Sequence, residues 1–183
     1  MAIIDYDDRL ATAEISELIR RMADRRPFYA AVGEAAVQQT QDNFRRQGSS
    51  AGPWQRLKAA TIRRRTAAGQ TPITILRSNA KAKQTSLAGS ISYRADASAV
   101  EWGTPLPYGR AHQLGADIQM PARTGRIYRS AAAGRLFARR EGADREIEVQ
   151  IPGYTIHLPA RPFIEPPDEE EIGDLAADWL GLE

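Results

Sequence analysis

The chain has 183 residues, 42% of them hydrophobic and 26% charged, with no cysteine and a formal net charge of +2. That length supports one domain with a real core, and the missing cysteines exclude disulfides, thiol nucleophiles and Cys-based metal sites. No apolar run approaches the ~20 residues of a membrane helix, and the start M-A-I-I-D-Y-D-D lacks the positive, then apolar, segments of a signal peptide. A soluble protein assembled in the cytoplasm is expected.

The net charge conceals a segregation: −3 over residues 1–24, +15 over 25–140 and −10 over 141–183. Three arrangements are compatible with it: an anionic partner for the middle, self-association between basic and acidic surfaces, or neutralisation within the fold.

Ile15, Leu18, Ile19 and Met22 follow helical spacing and predict one apolar face. Asp24 to Pro27 closes that helix and starts a second, with Asp24 or a neighbour capping it and Pro27 in the tolerated first turn. Phe28, Val32, Ala36, Val37 and Phe44 give the second helix an apolar stripe that drifts around it, ending at Gly48 and S-S-A-G-P. The two helices are expected either to pair antiparallel or to cover one face of a sheet.

Gly52-Pro53 is a turn that delivers Trp54 as a plug over the core, ahead of L-K-A-A-T-I-R-R-R. Arg63, Arg64 and Arg65 would be spread at about 100° intervals by a helix, so they read as a solvated or phosphate-facing surface rather than one site. Residues 66–86 carry little periodicity beyond Ile73, Ile75 and Leu76, and 78–86 read as a polar, basic loop. Neither a G-x-x-x-x-G-K-[ST] nor a G-x-G-x-x-G pattern occurs, so nucleotide binding has no support.

Ile91 and Tyr93 alternate with Ser90, Ser92 and Arg94, and Val100 and Trp102 resume the alternation after 95–98, predicting a β-hairpin. Its second strand runs into G-T-P-L-P-Y-G-R-A-H-Q-L-G. Here Tyr108 to Leu114 predicts a short helix with Pro107 just ahead of it, and Gly103 and Gly115 act as hinges of a strand-to-helix corner.

Residues 120–145 form the most basic stretch, with Arg126, Arg129, Arg135, Arg139 and Arg140 beside Tyr128 and Phe137. A projecting hairpin is expected, its arginines meeting either nucleic-acid backbone without sequence readout or an acidic neighbouring subunit. Ile147, Val149 and Ile151 alternate as a strand, and Pro152-Gly153 reads as a type II turn leading to the strand of Tyr154, Ile156 and Leu158. A proline-rich P-A-R-P-F-I-E-P-P follows. An acidic first turn over 168–171 opens a C-terminal helix to about 181, with Ile172, Leu175, Ala176 and Trp179 on its apolar side. That helix is expected to dock on its own core or on a neighbour.

The histidines are His112 and His157, without H-E-x-x-H or H-x-H spacing, and no G-x-S-x-G occurs. His112 could pair with Asp117 or Glu101, but a lone histidine with an unspecified partner favours a hydrogen-bonding anchor, with Gln113 beside it, over catalysis. No catalytic residue, metal or cofactor is expected.

Five separated stretches then share one pattern. They are R-P-F-Y-A-A-V-G-E-A-A-V-Q-Q-T-Q-D-N-F-R-R-Q ending near Phe44, then Gly52-Pro53, Trp54, Leu57 and Thr61, then Ile75-Leu76-Arg77 with L-A-G-S-I-S-Y. The fourth runs from Val100 through Gly103, Tyr108, His112, Gln113 and Gly115, and the last is L-P-A-R-P-F-I with Pro159, Arg161, Pro162 and Phe163. Over about residues 15–165 the chain resembles the phage virion morphogenesis family, the tail-completion proteins typified by the G protein of phage Mu. Gly109 departs from the family's usual Ala, and Ser78-Asn79 from its T-G or S-G.

The resemblance implies an α+β fold like that of tail terminators: an antiparallel or mixed sheet flanked by N-terminal helices, with a basic β-hairpin arm at about 120–145 and a C-terminal helix. It implies one tail-completion domain over 1–183, without enzymatic activity, in the virion tail or neck. Its partners would be itself, as a ring expected to be hexameric, the tail tube, and head-completion or connector proteins, with sequence-independent contact to DNA in the channel and no membrane. The alternative is a stand-alone, nonspecific nucleic-acid-binding protein using the basic hairpin.

Overall fold

The computed structural model describes residues 8–77, 86–130, 137 and 140–182. Helices α1 (Arg9–Ala23) and α2 (Arg26–Arg46) are followed by a two-residue strand pair, β1 (Gly48–Ser49) with β2 (Gly52–Pro53), and by α3 (Ala59–Ala67). Strands β3 (Ser92–Ala95) and β4 (Val100–Gly103) form the expected hairpin, and α4 (Gly109–Leu114) follows. Strands β5 (Ala116–Met120), β6 (Arg123–Arg129), β7 (Arg145–Ile151) and β8 (Tyr154–Leu158) precede α5 (Glu169–Leu180). The class is α+β, and the described strands pair only antiparallel, two at a time.

Chain reversal between α1 and α2 uses Asp24, whose Oδ1 accepts from the Arg26 N–H at 3.1 Å, with Pro27 in the first turn where its missing N–H costs nothing. The stripe on α2 does not drift: Val32, Ala36, Thr40, Asn43 and Phe44 are all buried, so two polar residues complete the face. Thr40 satisfies its hydroxyl on the Ala36 carbonyl at 2.8 Å. The helix ends on Gln47 in a left-handed conformation (φ 54°) rather than on Gly48. Helix α2 packs across β3 and β4, the sheet-covering arrangement of the two expected for it, and α1 reaches the body through α5. The apolar face predicted for α1 forms, and Ile15, Ile19 and Met22 on it are exposed.

The core gathers Phe44, Trp54, Ile75, Leu87, Ala88 and Phe163. Phe44 is centred 5.7 Å from Trp54, edge to face, and 5.3 Å from Phe163. Trp54 is the plug its turn predicts, 5% exposed. Helix α5 begins where its sequence says: Asp168 caps it by accepting from the Glu171 N–H at 2.7 Å, and Gly181 ends it in the left-handed region. Its Trp179 ring lies 5.6 Å from Phe28, and Arg21 donates to the Trp179 carbonyl at 2.9 Å, so α5 docks on its own chain.

The long β segment overturns one expectation. Pro152-Gly153 does not turn β7 back onto β8; β7 pairs with β6, and β8 with β5. Met120 faces Tyr154 and Arg123 faces Ile151, so one register runs through the gap where Pro121 and Ala122 stand opposite Gly153 and Pro152. The four strands are one two-stranded ribbon, interrupted where two prolines lack the N–H a ladder needs.

Gly33 marks the tightest helix-to-sheet approach, since a Cβ there would lie 2.3 Å from Cδ2 of Tyr93. Gly33→Ala should therefore lose about 1–3 kcal/mol from overpacking, despite the better helix propensity of alanine, read as a lowered midpoint in urea unfolding with unchanged slope.

Candidate functional site

The motif residues converge on a strap, 159–165, that crosses the core between α2 and α4. Pro159 and Pro162 remove two backbone donors, and the main-chain groups of 162–164 are met by side chains rather than by a neighbouring strand. Gln113 does most of this: its Oε1 accepts from Phe163 N–H at 2.9 Å and Ile164 N–H at 3.0 Å, and its Nε2 donates to the Ile164 carbonyl at 2.8 Å. Trp54 Nε1 donates to the Pro162 carbonyl at 2.8 Å, and Asn43 Nδ2 to the Phe163 carbonyl at 3.1 Å. The Arg161 N–H reaches the His112 carbonyl at 2.7 Å, and its guanidinium donates to the Gln55 carbonyl. Burial, and secondly Arg65 nearby, lower the Arg161 pKa.

Glu165 ends the strap. Burial by itself raises its carboxyl pKa, but bonds from the side chain and N–H of Ser50 and from Asn43, with Arg46 near, lower it overall. Asn43, Glu165 and Ser50 were not singled out from sequence. The available signal was Asn43 itself, a poor helix former one residue before a core phenylalanine.

The corner at 103–115 differs from its expectation in three ways. Gln113 is an anchor, but of the strap. The His112 Nδ1 is buried with no hydrogen-bond partner, so its main-chain carbonyl, not its imidazole, is what anchors. Burial, then Arg161, hold the His112 pKa below the ordinary value, and the Tyr108 ring lies edge-on at 6.1 Å. Gly115 has the expected hinge geometry (φ 77°), and a Cβ there would meet the Ala160 nitrogen at 2.9 Å, whereas Gly103 has no positive φ and an open Cβ position. Leu114 is 65% exposed. Pro107 stands just ahead of the helix, before its N-cap Tyr108, as expected. Gly109 has its own reason: a Cβ would lie 2.5 Å from the Thr104 methyl.

His112 meets neither of the partners weighed for it. Asp117 bonds His157 across the ribbon at 2.7 Å, on an exposed surface. No group of three or more His, Asp or Glu among the described residues could hold a metal. No described helix is long and apolar enough to cross a membrane.

The ribbon replaces the basic hairpin of the sequence reading. Arg126 and Arg129 lie on β6, but the facing strand β7 brings Glu146 and Glu148, and Arg126 bonds Glu146 at 3.0 Å. The arm is therefore mixed in charge. Phe137 makes one isolated bridge to Arg129, and Arg140 is exposed in a 3-10 turn; Arg135 and Arg139 lie outside the described residues, as do 78–85 of the basic loop. Alternation places Ile118, Met120, Tyr154 and Ile156 on one face of the β5–β8 pair and Ile127, Ile147, Val149 and Ile151 on one face of the β6–β7 pair; carried through the shared register, the two sets fall on opposite faces of the ribbon. No helix packs substantially against either strand pair, and Ile118, Tyr154 and Ile156 are 43%, 45% and 41% exposed.

At the base of the ribbon, a cleft of about 760 Å³ lies between α3, α4 and β8. Leu57 and Thr61, motif residues with no bond to the strap, line it, together with Tyr108, His112 and Arg161. Of the three consecutive arginines only Arg65 points into structure, donating to the Thr74 and Arg77 carbonyls; Arg63 and Arg64 are exposed.

The family model described as the phage virion morphogenesis family matches residues 7–181. The chain belongs to that family, and its role is in building the phage particle. No curated protein and no solved structure matches it.

Gln113→Leu strands three strap groups at once and should cost at least about 2 kcal/mol, seen as a drop in unfolding midpoint that Gln113→Glu does not reverse. Because the folded-state pKa of His112 is depressed, the unfolded chain binds the extra proton: stability is full above about pH 6.5 and declines as pH falls toward the depressed value. His112→Leu should flatten that limb of a stability-against-pH curve; an unchanged limb would assign it elsewhere.

Proposed function

We propose that this chain is a tail-completion subunit that assembles as a ring, expected to be hexameric, at the head–tail junction around the DNA channel. Its neighbours are then the tail tube and the head-completion or connector proteins. The observation that carries this reading is the apolar patch on each of the ribbon's two strand pairs, which the described helices leave largely uncovered. A two-stranded ribbon is marginal in water by itself, and a face of this kind is the signature of a surface that another chain covers. The exposed Ile15, Ile19 and Met22 on α1 supply a second such surface on a different element. Two unlike surfaces on one subunit suit the heterologous contacts from which rings close.

The charge pattern of the ribbon favours a neighbouring subunit over DNA as the partner of Arg126. With Glu148 opposite it and Glu146 bonded to it, that face presents both signs, where a phosphate-binding arm would present one, while Arg129 faces Arg145 on the other side. The reading as a stand-alone nucleic-acid-binding protein loses part of its support by the Arg126 pairing.

Removing the gene from its phage or prophage should leave heads and tails that fail to join, and the wild-type gene supplied in trans should restore infectious particles. A gene carrying Ile127→Gln and Ile147→Gln, which touch no core residue, should yield a folded protein with far lower rescue. Normal particle yield without the gene would overturn the proposal.

A further inference from the structure

We infer that the cleft at the base of the ribbon is a docking seat for an acidic, aliphatic polypeptide segment, and that its occupant is the N-terminal stretch Ile3 to Asp8 of a second copy of this chain. The cleft is lined by Arg56, Lys58, Arg65, Arg77 and Arg161, and by no carboxylate among the described residues. The nearby carboxylate of Asp117 is turned to His157. Arg65 and Arg161 direct their hydrogen bonds at main-chain carbonyls, with no acid among the described residues paired to either, and Arg65 adds to burial in disfavouring the charge on Arg161. The Nδ1 of His112, buried and without a partner, sits in the same wall. An anionic occupant would relieve this concentration of like charge.

The lining also decides between kinds of anion. Leu57, Leu87, Ile156 and Leu158 contribute an apolar floor beside the cations. A phosphate backbone has nothing to place there, and a duplex is convex where the cleft is concave. The match is a segment with aliphatic anchors next to carboxylates. In this chain I-I-D-Y-D-D at 3–8 has that composition: two isoleucines, then three aspartates around a tyrosine. Helix α5 is as acidic, but its apolar side is already laid on α2, so it offers carboxylates alone. Helix α1 follows directly from the N-terminal stretch and keeps its own stripe exposed, so a neighbour that receives one would meet the other.

The inference rests on the ring-forming reading, and charge reversal tests it separately. Arg56 and Lys58 are exposed and outside the core, so Arg56→Glu with Lys58→Glu is expected to leave the fold intact; the complementary set is Asp5→Lys with Asp7→Lys and Asp8→Lys, and unfolding midpoints are compared for both. In sedimentation of the full chain at low salt, each set should weaken self-association about tenfold, and both sets in one chain should restore it. A labelled peptide of residues 1–12 should bind the full chain, lose about tenfold affinity to the cleft variant, and bind the variant better when its aspartates are lysines. Self-association that survives both reversals would overturn the cleft assignment while leaving the ring intact. Reversals that lower the melting temperature without touching association would place the segment in its own cleft and overturn the second-copy assignment. Failure of the peptide to bind, or its displacement by a short DNA duplex that binds more tightly, would also overturn it.

Discussion

The strap at 159–165 places a phenylalanine at the centre of the core on a backbone that cannot join a sheet, because Pro162 brings no N–H and Pro159 another gap. A buried backbone without partners is costly, so each remaining group must be met by a side chain reaching from elsewhere. Gln113, Trp54 and Asn43 come from three elements far apart in the chain, and each donates to or accepts from this one segment. The strap thereby ties the helical half to the base of the ribbon. A glutamine serves this position well because one amide supplies both an acceptor for two N–H groups and a donor for a carbonyl.

Helices, strands and turns were legible where the signal is local. The period of α2, the cap of α5, the β3–β4 hairpin and the alternation of β7 and β8 follow from side-chain spacing and turn chemistry. Strand pairing is not local. Pro152-Gly153 between two alternating runs has all the residues of a tight turn, yet β7 and β8 pair with more distant strands whose continuous register satisfies more of the ladder. The stripe on α1 shows another limit: periodicity announces an apolar face but not what covers it. For the site, the motif positions were readable and their tasks were not. His112 drew notice as the rarer chemistry, while Gln113 carries the bonds; Asn43 lay unremarked within the first shared stretch, and Glu165 stands just past the last.

The molecule divides its apolar surface between two uses. Phe44, Trp54 and Phe163 close a small aromatic core that the chain completes alone. The ribbon's apolar patches and the α1 stripe are left over, on elements that touch that core little. Family membership in virion morphogenesis gives this division a purpose, since a subunit of a particle needs a fold that stands before assembly and surfaces that are finished by it. The charge segregation along the chain follows the same logic, with like signs gathered into regions instead of cancelled within each element.

The paired prolines in the middle of the ribbon have a further consequence for how copies can meet. A two-stranded ribbon has both long edges open, and open edges recruit more strands without limit. Pro121 interrupts one edge and Pro152 the other at the same height, so neither edge offers an unbroken row longer than the five residues of β5 or β8 or the seven of β6 or β7. Strand-by-strand growth into a fibre finds no continuous template. Any neighbour that meets the ribbon is steered onto its faces, where it must fit shape as well as hydrogen bonds.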